Sequence, residues 1–514
     1  MVISAFPINT ANFASIGAGA VKYVSNYASF AAAVSAISST PTTLYINQDT
    51  NVAATTTIPA TLTLAQLNNS VLTKTSSGAL DFKGVCLSNP ESQIPLFSGF
   101  AAGDITWTGT TWPAIISSSL WADTNWGARL SRATSSFTSK DSTIIVFEGG
   151  TPTAQVTIKS GQSVYFTRGT YENAIDAAPW VVLESDTCVY GDGIGQTVIK
   201  ESSASGRVQG FYADGVIAYP YDGFNKNIII RDITFLGEPT QTVNSAMSAV
   251  LLGNCTNGIV RNCEFWGTHG FGAYVGAFAT AGYHAQNCYI DHNIFRDLKT
   301  QNCGALSGKN IFITDNLFTE MNTDVSNPLL VAIDIEPNAT GEYVENLQIL
   351  NNIIDARGAV QSVSGIILQI GGSATNSQFC RIAGNIIVGQ DPVLPETGTL
   401  VAGITVAGSF STVIENNIIT GAGQQGLALY SLDECDVRDN TLLNCGGGGN
   451  SAVLVSGCTE TRVRANRATA QAGFAAVAYL DEVAPASNKY IYNEFSAINL
   501  GVGSTSAVAP IVYA

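Results

Sequence analysis

The chain has 514 residues and a net charge of −16, with 12% charged residues, 46% hydrophobic residues and 50 glycines. A net acidic surface repels phosphate and disfavours nucleic-acid binding; no apolar run reaches the roughly 18 residues of a membrane-spanning helix; and the hydrophobic content argues against disorder. Few charges and many small residues also argue against a helical enzyme or a coiled coil, which would need Glu, Lys, Arg and Leu, and they leave a repetitive β protein.

The N-terminal stretch MVISAFPINTANFASIGAGA lacks the basic start and compact apolar segment of a secretory signal. Two expectations follow: a signal already removed, or synthesis in the cytoplasm followed by action outside the cell, as for phage tail proteins. Either gives an extracellular or virion-associated protein. Residues 1–135 are rich in Ala, Thr and Ser, with short strands at 42–48 and 61–67, and they hold Trp107, Trp112, Trp121 and Trp126. They read as a smaller β-rich region, either further coils or a cap, ending at the polar stretch 133–143.

Beyond it one phrase recurs, [Ile/Val]-x-x-Asn-x-[apolar], for example IDHNIF (290–295), ILNNII (349–354) and IENNII (414–419). Its fourth slot falls at Ile233, Cys263, Asn293, Asn316, Asn352, Asn385, Asn417, Asn440, Asn466 and Asn493. A period of roughly 20–40 residues with variable insertions marks a solenoid. Each period holds short alternating strands with Gly and Asn between them, which predicts an all-β parallel β-helix over 136–500 and a tail over 501–514. The recurring Asn is expected to sit in the left-handed conformation at a corner and to bond its stacked copies.

The ten cysteines follow the same logic. Cys288, Cys380 and Cys435 share one slot of the repeat and Cys255 and Cys458 another. Equivalent slots suggest buried free thiols packed as small hydrophobes. No CxxC pair suggests zinc.

The phrase GTY at 169–171, an extended stretch, and then YGDGIGQTVI (190–199) resemble the opening coils of the pectate-lyase-like right-handed parallel β-helix superfamily. That superfamily includes pectate lyases, polygalacturonases, phage tailspikes and fructan-processing enzymes. Over about 140–500 the resemblance implies a right-handed β-helix that faces saccharides, and homotrimers are common among such proteins; it does not imply one reaction.

The interior of a β-helix is filled, so chemistry belongs on an outer face. Aligning AVLLG (249–253), AYVGA (273–277), AIDIE (332–336), GIILQ (365–369), GITVA (403–407), GLALY (426–430) and AVLVS (452–456) puts the third and fifth residues outward. Only AIDIE places two acids there, Asp334 and Glu336, about 7 Å apart at Cα. Two carboxylates at such a separation can work on one glycosidic bond, and like charges push one pKa up. AIDIEPN also resembles a G-[IV]-D-[ILV]-E-P phrase of the same superfamily. Gln369, Thr405 and Tyr430 follow on neighbouring coils as substrate-binding candidates. The alternatives for the acids are a solvated strand or a Ca²⁺ site.

The three His cluster at His269, His284 and His292. His292 reads as a corner residue. His269, two coils from Asp334, is a candidate acid/base group, as is His284, and Trp266 offers a sugar-stacking face. Gly267-Thr268-His269-Gly270 and Asn322-Thr323-Asp324 resemble polygalacturonase motifs but occur in reverse order, and that family's paired-Asp and Arg-Ile-Lys motifs are missing. LPETG (394–398) is internal and reads as a loop rather than a sortase signal. The expectation is a glycoside hydrolase or glycosyl-transferring enzyme that needs no cofactor and acts on a polysaccharide or oligosaccharide. A polysaccharide lyase and a non-catalytic adhesive solenoid are the alternatives.

Overall fold

A computed structural model describes residues 20–509 apart from 38, 88–94, 102, 109–114, 137–141, 153, 175–178, 202–208, 213–224, 239–247, 269, 277–283, 322–328, 360–361, 372–376, 390–399, 447–449, 470–476, 482–487, 496 and 501–506. His269, Trp112 and LPETG lie outside the described residues. Contacts divide the chain into Met1–Tyr171 with Asp186–Gly191, and Glu172–Ser185 with Asp192–Ala514.

The second unit is a right-handed parallel β-helix, the fold that the resemblance implied. Each coil contributes three strands, as in Ser248–Leu252, Cys255–Arg261 and Glu264–Trp266. Each strand pairs in parallel with its equivalent one coil later, building three sheets. The alternation explains the strands: in Gly308–Thr314 and Val344–Leu350 the residues Ile311, Ile313, Leu347 and Ile349 are fully buried, with polar or partly exposed neighbours between them. Phe235, Phe265, Phe295 and Phe318 stack face to face through the interior at 5.2, 4.9 and 4.8 Å between centroids. Each such side chain contributes on the order of 2 kcal/mol by burial.

The recurring Asn is internal rather than at the corner itself. Asn293 through Asn493 are all buried, and each Nδ2 donates to the Oδ1 of the next, for instance Asn352 to Asn385 at 3.0 Å and Asn385 to Asn417 at 2.9 Å. The left-handed residue is the one before it: Asp232, Asn262, His292, Asp315, Asn351, Asn416, Asp439, Ala465 and Tyr492 have φ between 51° and 62°, and Gly384 has 67°. This corrects the expected placement. A stack needs a side chain that is both donor and acceptor facing inward, and the bend needs a residue tolerant of positive φ just outside. His292 is indeed a corner residue. A second Asn ladder runs along the edge of the long strands, from Asn346 through Asn310, Asn287 and Asn257 to Asn227 at 2.8–3.1 Å.

All ten cysteines are free and nine are buried. Cys288, Cys435 and Cys458 donate to backbone carbonyls of the preceding coil, at 3.5, 3.6 and 3.7 Å.

The first unit also consists of parallel strands. One sheet takes Ala20–Tyr23, Thr42–Ile46, Leu62–Gln66 and Val85–Leu87 in order. Two further three-stranded parallel sheets complete these coils. The expected boundary at 135/136 falls at the end of the helix Trp126–Ser136, whose Trp126 packs on Phe166 and Tyr171. That packing carries the first unit on to Tyr171. The expected tail contains the strand Ala507–Ala509, paired in parallel with Lys489–Ile491.

Candidate active site

The strand Leu329–Ile335 buries Ile333 and Ile335 completely in the core, so Asp334 between them points to the outer face. Pairing fixes its column: Leu251 opposes Tyr274, Tyr274 opposes Gly304, Gly304 opposes Asp334, Asp334 opposes Ile367, and Ile367 opposes Thr405. This register corrects the sequence alignment in two places. The segment around 273 shifts by one residue, so Tyr274 rather than Val275 faces outward. An omitted coil, Cys303–Ala305, lies between it and Asp334. Val275 is in the core.

The column is closed at Asp334. Leu251, Tyr274 and Asp334 are each 4% exposed, and Phe271 and Leu306 pack with Leu251 and Tyr274. The Phe271 and Tyr274 rings lie 4.2 Å apart. Both lean over Gly304: a Cβ built there would stand 3.0 Å from Tyr274 Cε2, 3.1 Å from Phe271 Cε1 and 2.5 Å from the Asp334 carbonyl oxygen. The missing side chain lets a phenol two coils away approach Asp334.

Burial and then the Glu336 charge push the Asp334 carboxyl up to about 7, against a hydrogen bond from Gln301 that lowers it. The Asp334 Oδ1 atom is buried without a hydrogen-bond partner among the described residues. Glu336 follows the strand, with its amide bonded to the Ala305 carbonyl at 3.2 Å. It is half-buried, and burial raises its carboxyl above the ordinary value. Burial, then the charges of Asp334, Glu336 and Glu342, raise the Tyr274 phenol. Glu342 is itself buried, and its Oε2 accepts from the Asn338 and Ala339 amides at 2.7 and 2.8 Å.

His284 directly precedes the strand Ala285–Asp291. Its Nδ1 shares a hydrogen bond with Ser307 Oγ at 2.5 Å, and its ring meets Tyr343 edge-on at 4.4 Å. Burial lowers its pKa, opposed by the Glu342 charge, which favours a neutral imidazole. The structure thus gathers Tyr274, His284, Asp334, Glu336 and Glu342 into one electrostatic neighbourhood.

Of the other candidates, Thr405 lies two strands from Asp334 in the same column, about 10 Å along the axis. Gln369 opposes Ala407, which opposes Tyr430, so these two share the column that continues from Glu336. Trp266 is elsewhere. It belongs to the sheet of Glu264–Trp266 and Ile294–Arg296, and the Arg296 guanidinium covers its ring at 3.8 Å. Sequence reasoning missed Tyr274, Gly304, Gln301 and Glu342. Tyr274 was recoverable from the small residue two places before each outward one (Gly272, Ala332, Gly365, Gly403, Gly426), where a Cβ at Gly365 or Gly403 would press on the core residues Ile387 or Ile419.

The family model described as periplasmic copper-binding protein (NosD) matches residues 331–510, about a third of the chain. Copper sites draw on His, Cys and Met. Residues 331–510 contain no His and no Met, and their four cysteines are buried. The Cys435, Cys445 and Cys458 thiols donate to strand carbonyls. This donor set does not fit copper. Among the described residues no group of three or more His, Cys, Asp and Glu could hold a metal ion. No curated protein matches the chain. Among solved structures it is similar to the A-module of mannuronan C-5 epimerase AlgE4 of Azotobacter vinelandii, at 18% identity and a TM-score of 0.47, covering 68% of this chain and 91% of that one. It is also similar to the tailspike gp49 of Acinetobacter baumannii phage Fri1, a capsular polysaccharide depolymerase (14%, TM-score 0.40, 65% and 56%). A third is PfbA, a surface adhesin of Streptococcus pneumoniae (12%, TM-score 0.34, 64% and 83%).

Proposed function

We propose that this protein is a carbohydrate-active β-helix enzyme that cleaves or transfers glycosidic bonds, with Asp334 and Glu336 as its carboxylate pair. The observation that carries this reading is the buried Asp334 carboxyl whose Oδ1 atom has no hydrogen-bond partner among the described residues, two residues from a second, less enclosed acid. Glycosidic cleavage needs one neutral carboxyl to protonate the leaving oxygen and one ionised carboxylate to act on the anomeric carbon or on a water. Asp334, pushed up to about 7, is the proton donor. Glu336, closer to solvent, is the carboxylate. Elimination from a uronate would call for a cationic or metal-neutralised site, and no Lys or Arg shares the columns of Asp334 and Glu336 among the described residues. Hydrolysis or transfer is therefore preferred over a lyase. The reading needs no cofactor, and it places the protein outside the cytoplasm or on a virion, where polysaccharides are met.

Digestion of a glycan library with mass-spectrometric readout tests it. A product heavier by one water means hydrolysis, and an unsaturated product means elimination. Asp334→Asn and Glu336→Gln are each expected to lower kcat on the confirmed substrate by at least about 100-fold, the lower end of acid–base contributions. Unchanged rates would refute the assignment, and glycan binding without any product would favour an adhesive solenoid. Activity abolished by a chelator and restored by Ca²⁺ would refute the cofactor-free reading.

A further inference from the structure

The carboxyl at the centre of the site is built to meet a polar group that the described residues do not supply. Asp334 is 4% exposed, Gln301 is its hydrogen-bond partner, and Oδ1 has none among the described residues. A buried carboxyl oxygen without a partner is costly unless a ligand completes it. The surrounding walls narrow the ligand's chemistry. Beside Asp334 stand the Tyr274 ring, the bare backbone of Gly304 and Ile367, and near them the carboxyls of Glu336 and Glu342.

Among the described residues, the two cations nearest in sequence to these acids are engaged elsewhere. Lys309 pairs with Glu345 at 2.7 Å and Arg357 with Asp355 at 2.7 Å. A second carboxylate about 5 Å from an ionised acid, at an effective dielectric of about 20, weakens binding on the order of 100-fold.

We infer that the sugar seated at Asp334 is a hydrogen-bond-donating unit without carboxylate, sulfate or phosphate: a neutral hexose or an amino sugar, and not a uronate. This rests on the proposed carbohydrate site and adds its substrate class. The unpartnered oxygen meets a sugar hydroxyl, glycosidic oxygen or amine, and the acidic surroundings repel anionic chains.

The test measures binding and cleavage by the full chain on laminarin and dextran (neutral), chitosan oligosaccharides (amino), and polygalacturonate, alginate and chondroitin sulfate (anionic). Expected is affinity at least 100-fold higher for a neutral or amino probe than for every anionic one, weakened at least tenfold by Asp334→Asn. If the preferred probe is chitosan, raised salt and Glu336→Gln each weaken it at least tenfold. If it is a neutral glucan, salt has no effect. Equal or tighter binding of an anionic chain overturns the inference. If that chain is also cleaved and Asp334→Asn abolishes its cleavage, the carboxylate-pair function stands while the substrate class falls. A neutral or amino probe that binds through Asp334 but is never cleaved leaves the substrate class standing and overturns catalysis. Binding of no probe, or binding indifferent to Asp334→Asn, overturns the inference.

Discussion

Asp334 gives the most direct physical test, because its proton is linked to folding. Its folded pKa stands at about 7, against an ordinary aspartate value of 3.8. Below the unfolded value both states are protonated and the carboxyl is neutral to stability. As pH rises towards 7 the unfolded chain ionises first, so the folded state loses stability, and above 7 the loss levels off. A shift of about three units corresponds to about 4 kcal/mol at 1.36 kcal/mol per unit, an order-of-magnitude figure for this buried site. Asp334→Asn removes that penalty. It introduces amide protons beside an atom that already lacks a partner, at about 1–2 kcal/mol. The variant should therefore be less stable than the parent by about 1–2 kcal/mol near pH 4 and more stable by about 2–3 kcal/mol near pH 8. For a chain of this length, 1 kcal/mol corresponds to about 1 °C in Tm. Fluorimetric melting of both proteins from pH 4 to 9 reads the sign change directly. Parallel pH profiles would mean that Asp334 titrates as an ordinary exposed carboxyl, and the assignment of the proton donor would fall with it.

Other expectations follow from the same geometry. Activity should fall as pH rises through about 7, as Asp334 loses the proton it donates; a pH–rate profile flat from 5 to 9 contradicts this. Gly304→Ala places a methyl 3.0 Å from Tyr274 Cε2 and 2.5 Å from the Asp334 carbonyl oxygen. It should lower stability by about 1–3 kcal/mol and activity at least tenfold, read by denaturation and initial rates. Asn385→Ala deprives the Asn352 amide and side chain of their acceptor and the Ile349 carbonyl and Asn417 Oδ1 of a donor. Its expected cost is about 3–5 kcal/mol, whereas Asn287→Gly in the edge ladder should change stability by less than about 1 kcal/mol. Equal effects at both sites would mean that the internal ladder is no stronger than the external one. Copper(II) titration followed by desalting and elemental analysis should leave less than one equivalent on the chain, and a stoichiometric ion would show a donor set other than the one described.

The repeat was legible because its geometry permits few substitutes. An internal stack that bonds both along itself and to strand carbonyls needs an amide, so Asn recurs from 293 to 493. The corner beside it accepts Asp, Asn, His, Gly, Ala or Tyr, so it leaves little trace and was assigned to the wrong residue. The acid pair was legible because two carboxylates interrupt an otherwise apolar strand. The Tyr274 partnership was not. The coil between holds only the short strand Cys303–Ala305, with no alternation to align, and a one-residue shift exchanges inner and outer faces throughout a strand.

That silent coil explains why the outer face is buried where the acids stand. In a solenoid, outward side chains of successive coils are about 4.8 Å apart and normally fill the space between themselves. At Gly304 the slot is empty, and the residues on either side occupy it: Tyr274 and Phe271 from one side, with Asp334 adjoining on the other. Two coils on, Thr405 in the same column is only partly buried, with Ile367 in the slot between. Desolvation of the carboxyl therefore comes from an absence in the sequence as much as from any residue present. One missing side chain at Gly304 lets the Tyr274 and Phe271 rings close over the strand beside Asp334, and burial together with the Glu336 charge holds the carboxyl's proton near neutral pH.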